Sequence, residues 1–351
     1  MKVLVIKVSA LGDIVHALPV LAHMHAAVPE ATVDWLIESS FAPLLENHPL
    51  IRRLITLDTR GWRTEGATRA VKGSLQVIGK LRSEHYDVVL DLQGNSKSGL
   101  FTLLSGAPLR FGFDRAQTRE WLNLLATNRK VPIPSANHHI TSRYLRIAQA
   151  AFPGTPEIPL SGPLPVLDGA AQNVARQLDK FGMRRGAFLV AHYGTTWDTK
   201  LWPLESWVEL VRALVLERGE QLVLTWGNDR EKRAVERMAE AAQGRAVIWP
   251  RGTLTELVAL LAAARLVIGA DTGPVHLAAA VGTSTVSLYR VTDSRRNGPP
   301  GDRHVRLQAP MDCSPCLRKN CENDQECGQS IPVAEVLRTV EDLLGNQDGR
   351  V

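Results

Sequence analysis

The stretch KVLVIKVSALGDIVHALP, residues 2–19, contains the pattern on which the fold prediction rests. Its first part, Lys2–Val8, is a short apolar run, and after a turn Ile14 and Leu18 lie at helical spacing. The same alternation of apolar run and helical pattern recurs along the chain, for example in the apolar run at residues 86–92, which has few polar interruptions. Continuous apolar runs between helices indicate a parallel sheet that is covered on both faces.

The alternation stops once, in segment 152–167, which is rich in proline and glycine, and then restarts. Proline at this density cannot continue a helix or a central strand, so the segment is predicted to be a linker. A chain of 351 residues is long enough for two domains. We therefore predict an α/β protein with two doubly wound Rossmann-like domains facing a central cleft, at 1–160 and 161–351, with a Cys-rich loop at 313–327 and a C-terminal helix.

Composition and charge restrict the class of protein. Hydrophobic residues make up 44% of the chain and charged residues 22%, which is typical of a globular protein. The sequence shows no secretory signal pattern and no apolar stretch near the ~20 residues that span a bilayer. The net charge of +5 arises in the first half, where residues 52–146 alone hold 16 basic and 7 acidic residues. Such a region either is an ordinary solvated surface or attracts phosphates, nucleic acid or acidic lipid headgroups.

The loop after the first strand, KVSALGDI at 7–14, carries a candidate catalytic group. It has one glycine, Gly12, and therefore lacks both the dinucleotide fingerprint and the P-loop. Asp13 at the start of the following helix is either a helix cap or a carboxylate that accepts a proton from a substrate hydroxyl. His16, one turn further on, is a conceivable substitute but is interpreted as a packing or surface residue.

Two loops in the second half are suited to a diphosphate. HYGTTWDTK at 192–200 and VIGADTGPVH at 267–276 each leave an apolar run and lead into a helix. Hydroxyl groups, free backbone N–H groups and a lysine at such turns form an anion site, although a well-capped helix has the same signature. Because both loops are expected at one edge of one sheet, a phosphate ligand is the favoured interpretation.

Five ordered segments resemble glycosyltransferase family nine, the ADP-heptose:lipopolysaccharide heptosyltransferases, over nearly the whole chain. They are KVSALGDIVHALP (7–19), DLQGNSKSG (91–99), TTWDTKLWP (195–203), GADTGPVHLAAAVGT (269–283) and YRVTDSRRNGP (289–299). The resemblance implies a GT-B fold with the donor ADP-heptose on the C-terminal domain and a lipid A core acceptor on the N-terminal domain. It also implies inversion at the anomeric carbon and no metal or cofactor required for catalysis.

The resemblance assigns roles to particular residues. Asp13 matches the catalytic base proposed for the family. The positions that match the donor-binding motifs are Thr195, Thr196, Lys200, Asp271, Thr272, Gly273 and His276. Asp229 stands where the family places an acidic residue toward the ribose, with Glu231 two residues away. Lys7 matches a basic position of the opening motif and receives no role.

The basic region receives a partner from the same resemblance. The positions like those of the family's acceptor groove are Arg60, Arg63, Lys97 and Arg119. Core sugars of lipid A carry carboxylates and phosphates, which arginine binds well. Trp62 is expected to stack on a sugar or to touch the membrane surface. We expect a cytoplasmic protein, peripheral at the inner face of the inner membrane; nucleic acid is disfavoured because few aromatic residues are present to stack bases.

All four cysteines lie within 15 residues, as Cys313, Cys316, Cys321 and Cys327. This spacing is compatible with a structural zinc site, and four free thiols are the alternative. In either case the Cys-rich segment is expected to lie away from the transfer chemistry.

The sequence thus predicts an inverting transferase that moves heptose from ADP-heptose to the inner core of lipopolysaccharide, on Kdo–lipid A or on a heptosyl acceptor. The alternatives are a GT-B transferase for another nucleotide sugar and a non-catalytic protein that binds nucleotides or anionic glycans.

Overall fold

The structure is a computed structural model, and it describes residues 1–136, 138–154 and 157–348. The chain divides into two compact units, Met1–Pro163 and Leu164–Val351. This division falls inside the predicted linker, of which residues 155 and 156 lie outside the described residues. The sequence-based boundary lay between residues 160 and 161. Each unit is described by itself below.

The first unit contains a parallel six-stranded sheet with strand order β3-β2-β1-β4-β5-β6. Its strands are β1 (Lys2–Ile6), β2 (Thr32–Glu38), β3 (Arg53–Leu57), β4 (Val88–Asp91), β5 (Leu109–Phe113) and β6 (Arg129–Val131). Its α-helices are α1 (Leu11–Ala17), α2 (Pro19–Ala27), α3 (Ala42–Leu45), α4 (Thr59–Glu65), α5 (Ala67–Ser83), α6 (Ser96–Leu104) and α7 (Ile140–Ala151). Short 3-10 helices occupy Ser39–Phe41 and Trp121–Leu125.

The sheet of the first unit is held by apolar side chains on both faces. On one face, Leu81 of α5 and Phe101 of α6 are buried against β1 residues Leu4 and Ile6. Burying an apolar side chain of this size stabilises the fold by roughly 1.5–3 kcal/mol. The continuous burial of β4 explains why its sequence shows no polar alternation.

The second unit contains a parallel six-stranded sheet with strand order β12-β11-β10-β7-β8-β9. Its strands are β7 (Phe188–His192), β8 (Gln221–Thr225), β9 (Val247–Ile248), β10 (Leu266–Ala270), β11 (Ser284–Tyr289) and β12 (His304–Gln308). Its α-helices are α8 (Asp168–Lys180), α9 (Leu204–Arg212), α10 (Asp229–Ala241), α11 (Leu254–Ala263), α12 (Gly273–Ala280), α13 (Ser294–Asn297), α14 (Asp324–Gln329) and α15 (Val333–Asp348). A 3-10 helix spans Asp198–Lys200, and a π-helix at Ala213–Glu217 extends α9.

Both sheets follow the same path when their strands are counted from the start of each unit. The sheet of the second unit, taken from its other edge, runs β9-β8-β7-β10-β11-β12, which repeats the order of the first unit. The prediction of two doubly wound α/β domains is therefore confirmed. In such sheets ligands bind at the carboxyl ends of the strands where the order reverses, which here means after β1 and β4 and after β7 and β10. Within the described residues, no helix is long and apolar enough to cross a membrane.

Candidate active site

Asp13 lies in the first turn of α1, at the point where the strand order of the first sheet reverses. The backbone N–H of Ala10, the N-cap residue of this helix, lies 3.4 Å from the Asp13 Oδ2 atom. Asp13 is therefore not the N-cap itself, although its carboxylate reaches back over the helix start. About a third of the Asp13 side chain remains exposed, so the carboxylate is accessible to a substrate.

Two side chains hold the Asp13 carboxylate from the protein side. The Lys7 ammonium lies 3.6 Å from Oδ2, and the Tyr144 hydroxyl donates to Oδ1 at 3.4 Å. The same ammonium lies 4.7 Å from the centre of the Tyr144 ring. Burial lowers the pKa of Lys7, whereas the charges of Asp13 and Asp91 act in the opposite direction. The sequence predicted Asp13 but not Tyr144, which lies on α7 and has no local signal linking it to the opening motif.

The loop that carries Lys7 is fixed from two sides. The side-chain carbonyl of Gln93 accepts the backbone N–H groups of Val8 and Ser9, and the Trp35 indole donates to the Lys7 carbonyl at 3.0 Å. These bonds join the loop after β1 to strand β2 and to the loop after β4. The Asp13 surroundings are consequently a rigid part of the first unit.

The loop after β4 brings two of the predicted acceptor residues together. Gly94 has a φ of +68°, and its carbonyl accepts the backbone N–H of Arg119 at 3.0 Å. Hydrogen bonds from the Ser96 side chain and backbone N–H, with the nearby charges of Arg119 and Lys97, lower the pKa of the Glu120 carboxylate. Arg119 lies close enough to Lys7 for its charge to lower the pKa of that ammonium, and Lys97 lies near Glu120.

The other two predicted acceptor residues, Arg60 and Arg63, lie exposed on α4, which follows β3 at the same edge of the sheet. Trp62 between them is half-buried against the core, and a Cβ at Gly73 of α5 would lie 2.5 Å from its indole nitrogen. The indole thus packs partly on the core, and its contact with a sugar or a membrane stays a prediction. His16 is buried beside Thr141, as the packing interpretation expected.

In the second unit, the two predicted donor loops meet through three charged or polar side chains. The Lys200 ammonium lies 2.7 Å from Asp271 Oδ2, and His276 Nε2 lies 3.3 Å from Asp271 Oδ1. Burial raises the pKa of Asp271, but the hydrogen bond from His276 and the charge of Lys200 outweigh it and bring the pKa far below its usual range. Asp271 is thus an ionised carboxylate that orients the Lys200 ammonium and the His276 imidazole.

Hydroxyl and backbone groups at the same edge have unused hydrogen-bonding capacity. In the described structure, the Thr195 hydroxyl is buried and has no hydrogen-bond partner. Thr272 precedes α12 without its hydroxyl capping the helix, and Gly273 and Pro274 form the first helical positions. A buried hydroxyl without a partner is rare in folded proteins, and a phosphate oxygen fits both it and the N–H groups of the helix start.

The structure distinguishes the two acidic residues considered for the ribose. Asp229 is exposed at the first position of α10. Glu231 is buried and lines a cavity of about 440 Å³ together with Thr195. A Cβ at Gly194 would lie 2.5 Å from Glu231 Oε2, so the donor loop runs directly against this carboxylate. Burial raises the pKa of Glu231 in spite of the N–H groups of Gly227 and Asn228.

The Cys-rich segment lies against the first donor loop, contrary to the expectation that it is remote from the chemistry. The Thr199 hydroxyl donates to the Arg318 carbonyl at 2.7 Å. The ammonium groups of Lys200 and Lys319 each lie 5.0 Å from the centre of the Trp197 ring. A lysine from this segment is therefore held beside the loop predicted to bind the diphosphate, although the two are about 120 positions apart.

The four cysteines do not form a zinc site in this structure. Cys313 is exposed, whereas Cys327, on α14, is buried in the core of the second unit. In the described part of the chain, no three His, Cys, Asp or Glu side chains are arranged to hold a metal ion. A tetrahedral site needs all four thiolates around one point, so the residues as placed do not fit zinc.

Comparison with known proteins agrees with the motifs. The family model described as "Glycosyltransferase family 9 (heptosyltransferase)" matches residues 74–326. Lipopolysaccharide heptosyltransferase 1 of Pseudomonas aeruginosa is 35% identical over 92% of this chain and 87% of its own length.

Solved structures agree as well. The Escherichia coli heptosyltransferase WaaC with ADP superposes with a TM-score of 0.80 at 27% identity, covering 98% of this chain and 100% of that one. The same enzyme with ADP-2-deoxy-2-fluoro heptose gives a TM-score of 0.75 at 28% identity, covering 97% and 99%. The two sheets described above therefore form a GT-B fold. The chain belongs to glycosyltransferase family 9 and is a heptosyltransferase of lipopolysaccharide core biosynthesis, which removes the non-catalytic alternative.

Proposed function

We propose that this enzyme transfers heptose from ADP-heptose to a hydroxyl of the lipopolysaccharide inner core with inversion at the anomeric carbon. The observation that carries the proposal is the placement of the reactive groups: in each unit they follow the two strands between which the order reverses. The ADP and ADP-fluoroheptose bound by the related Escherichia coli enzyme support the choice of donor.

The second unit binds the donor in this proposal. The Thr195 hydroxyl, Thr196 and the N–H groups at Gly273 bind the diphosphate, and Lys200, oriented by Asp271, neutralises it. When the bond between the anomeric carbon and the β-phosphate oxygen breaks, the electron pair stays with ADP and the charge on that phosphate rises. Cations placed in advance at the leaving oxygen stabilise this change. We add Lys319 to this group because its ammonium, like that of Lys200, lies 5.0 Å from the centre of the Trp197 ring in the donor loop.

Two further donor contacts are assigned from the positions of His276 and Glu231 in the second unit. We assign His276 to the phosphates and the sugar of the donor, because it contacts the same Asp271 carboxylate as Lys200. For the ribose hydroxyls we favour Glu231 over Asp229, because only Glu231 is among the residues that line the cavity beside the donor loop.

Asp13 is the general base in this proposal. Its carboxylate accepts the proton of the acceptor hydroxyl while that oxygen attacks the anomeric carbon from the face opposite to the leaving ADP, which inverts the configuration. Lys7 and Tyr144 orient the carboxylate toward the acceptor hydroxyl, and the proposed mechanism uses no metal. Lys97 and Arg119, with Arg60 and Arg63 further along the edge, bind the acidic groups of the acceptor.

The acceptor carries lipid A, so we propose that the enzyme works in the cytoplasm, peripherally at the inner face of the inner membrane. The acceptor is either Kdo–lipid A or the product that already carries one heptose.

The experiment that tests the function is incubation of the purified chain with ADP-heptose and each of the two acceptors, followed by mass analysis. The expected result is a product heavier by one heptose unit from one acceptor, with release of ADP. A parallel incubation with other nucleotide sugars tests the alternative donor. Transfer only from one of those, or no product from either acceptor, would overturn the proposal.

A further inference from the structure

Three neighbouring helices of the first unit expose large apolar side chains on their outer side. We call this surface the apolar face; it consists of Val71 and Leu75 on α5, Leu100 and Leu103 on α6, and Trp121, Leu122 and Leu125 on the following 3-10 helix. Trp121 and Leu125 are each more than two-thirds exposed, at 68% and 69%. The inner sides of α5 and α6 bury Leu81 and Phe101 in the core, so these helices are apolar on both sides.

The apolar face is continuous because of the topology. The helices connect β3 to β4, β4 to β5 and β5 to β6, and the right-handed sense of such crossovers places all three on the same side of the sheet. Helix α5 packs against α6, and α6 packs against the 3-10 helix. The exposed side chains therefore form one surface across three elements and are not scattered singly.

The exposed large apolar side chains in the described part of the second unit are not clustered in this way. Among the described residues of the second unit, the large apolar side chains that are equally exposed are Val166, Phe181 and Leu317, and they lie on three separate segments. Single exposed apolar residues need no explanation, whereas a contiguous patch marks a surface that meets a partner or a membrane.

The charges around the apolar face identify the partner. Exposed cations on the same helices and their flanking loops are Arg60, Arg63, Arg69, Lys72, Lys97 and Arg119. The nearby carboxylates are largely engaged, since Glu65 pairs with Arg69 at 2.7 Å and Glu120 accepts the Ser96 N–H. The six cations outnumber the two carboxylates, and apolar side chains flanked by such an excess of positive charge match a bilayer surface that carries anionic headgroups. An exposed tryptophan such as Trp121 is typical of the boundary between headgroups and acyl chains.

We propose that the apolar face inserts into the interfacial region of a bilayer containing anionic phospholipid, with the flanking cations against the headgroups. This inference rests on the proposed function, since the acceptor is held in a membrane by its lipid A part. It goes further by naming the surface that docks. Lys97, a proposed acceptor-binding residue, lies on α6 one turn before Leu100, so docking places the acceptor-binding edge directly beside the membrane.

The first test measures the binding of the full chain to phosphatidylcholine vesicles with and without phosphatidylglycerol, by flotation. We expect binding only with the anionic lipid, and weaker binding at high salt. The variants Val71→Ser with Leu75→Ser, and Trp121→Ser with Leu125→Ser, each remove two inserted side chains and should lower the partition coefficient at least about tenfold. The matched control is Phe181→Ser, an exposed apolar residue of the second unit, which should bind as the wild type does. Unchanged unfolding temperatures show that the variants fold.

A second measurement separates this proposal from the proposed function. Transfer is assayed with an acceptor embedded in vesicles and with the same acceptor lacking its acyl chains. We expect the apolar-face variants to lose activity only with the embedded acceptor. Vesicle binding that is equal in the variants and the wild type, or a chain that self-associates through this face in sedimentation instead of binding vesicles, would overturn the docking proposal. Absence of transfer to either acceptor, with vesicle binding intact, would instead overturn the proposed function.

Discussion

At the scale of single residues, the Asp13 carboxylate combines two interpretations that the sequence treated as alternatives. It reaches back to the backbone N–H of Ala10, as a residue in the first turn often does, and it remains a third exposed for a substrate. Its partner Tyr144 enters from α7, 131 positions away. Sequence motifs report residues that act together locally, so Asp13 was predictable and Tyr144 was not.

Replacement of Asp13 tests the base directly. We expect Asp13→Asn to lower kcat by about 10²–10⁴-fold, because the amide cannot accept the proton while its shape still fits. The dissociation constant of ADP-heptose, measured by calorimetry, should not change. Asp114→Asn on the same unit is the control and should retain normal turnover. A near-normal kcat in Asp13→Asn would remove Asp13 from the role of base.

Replacement of Lys319 tests whether its ammonium contributes to ADP binding. We expect Lys319→Ala to weaken ADP binding about fivefold and Lys319→Arg to weaken it less, because a cation near the diphosphate is lost in the first and kept in the second. Lys232→Ala is a matched control, since that ammonium also lies near a tryptophan ring, 5.8 Å from the centre of Trp226. Equal ADP affinity in Lys319→Ala and the wild type would exclude Lys319 from the donor site.

At the scale of elements, prediction succeeded where a strand is buried on both faces. The largely apolar runs at 2–8, 86–92, 187–191 and 266–268 predict strands, and β1, β4, β7 and β10 lie within a few residues of these bounds. The edge strand β12 was missed because it is only half-buried and alternates with charged residues. The sequence of residues 119–126 predicts an α-helix, but the structure has a 3-10 helix over Trp121–Leu125, because apolar spacing does not distinguish the two helix types.

The Cys-rich segment shows that the spacing of cysteines along the sequence is not enough to predict a metal site. Its four thiols have the spacing of a metal site but lie in different environments, and burial raises the pKa of Cys327. We therefore expect Cys313 to be alkylated quickly and Cys327 slowly until the chain unfolds, because the thiolate is the reactive form. Site-resolved labelling followed by mass spectrometry checks this order. About one zinc per chain together with protection of all four thiols would contradict the structure.

At the scale of the whole molecule, two units with one strand order place their functional loops at equivalent positions. This explains how the site could be predicted before its geometry was known: a parallel sheet needs only its strands identified for its carboxyl edge to be located. The contacts that complete the site depend on packing between distant segments. Thr199 with the Arg318 carbonyl is one example, and no local pattern encodes it.

Stability against pH is a property of the whole second unit. Burial lowers the pKa of His192 to about 4, and burial also lowers that of His304 to about 4. Below about pH 6.5 the unfolded chain binds protons at these positions that the folded chain does not, so the free energy of unfolding falls as the pH falls toward 4. For His192 the loss approaches about 3 kcal/mol.

Urea unfolding between pH 7 and pH 4 measures this loss. We expect His192→Asn to show a shallower dependence on pH than the wild type, and the exposed-residue control His25→Asn to show the same dependence. A slope that His192→Asn leaves unchanged would show that another group causes the acid sensitivity.

The indole of Trp197, which has ammonium groups from two distant segments near it, gives the molecule a built-in optical probe. Charges close to an indole shift its emission, so the proposed binding of the donor diphosphate by these lysines would change the electric field at the ring. Binding of the donor can thus be followed by the intrinsic tryptophan fluorescence of the protein. The contribution of Trp197 is the difference between the emission spectra of the wild type and Trp197→Phe.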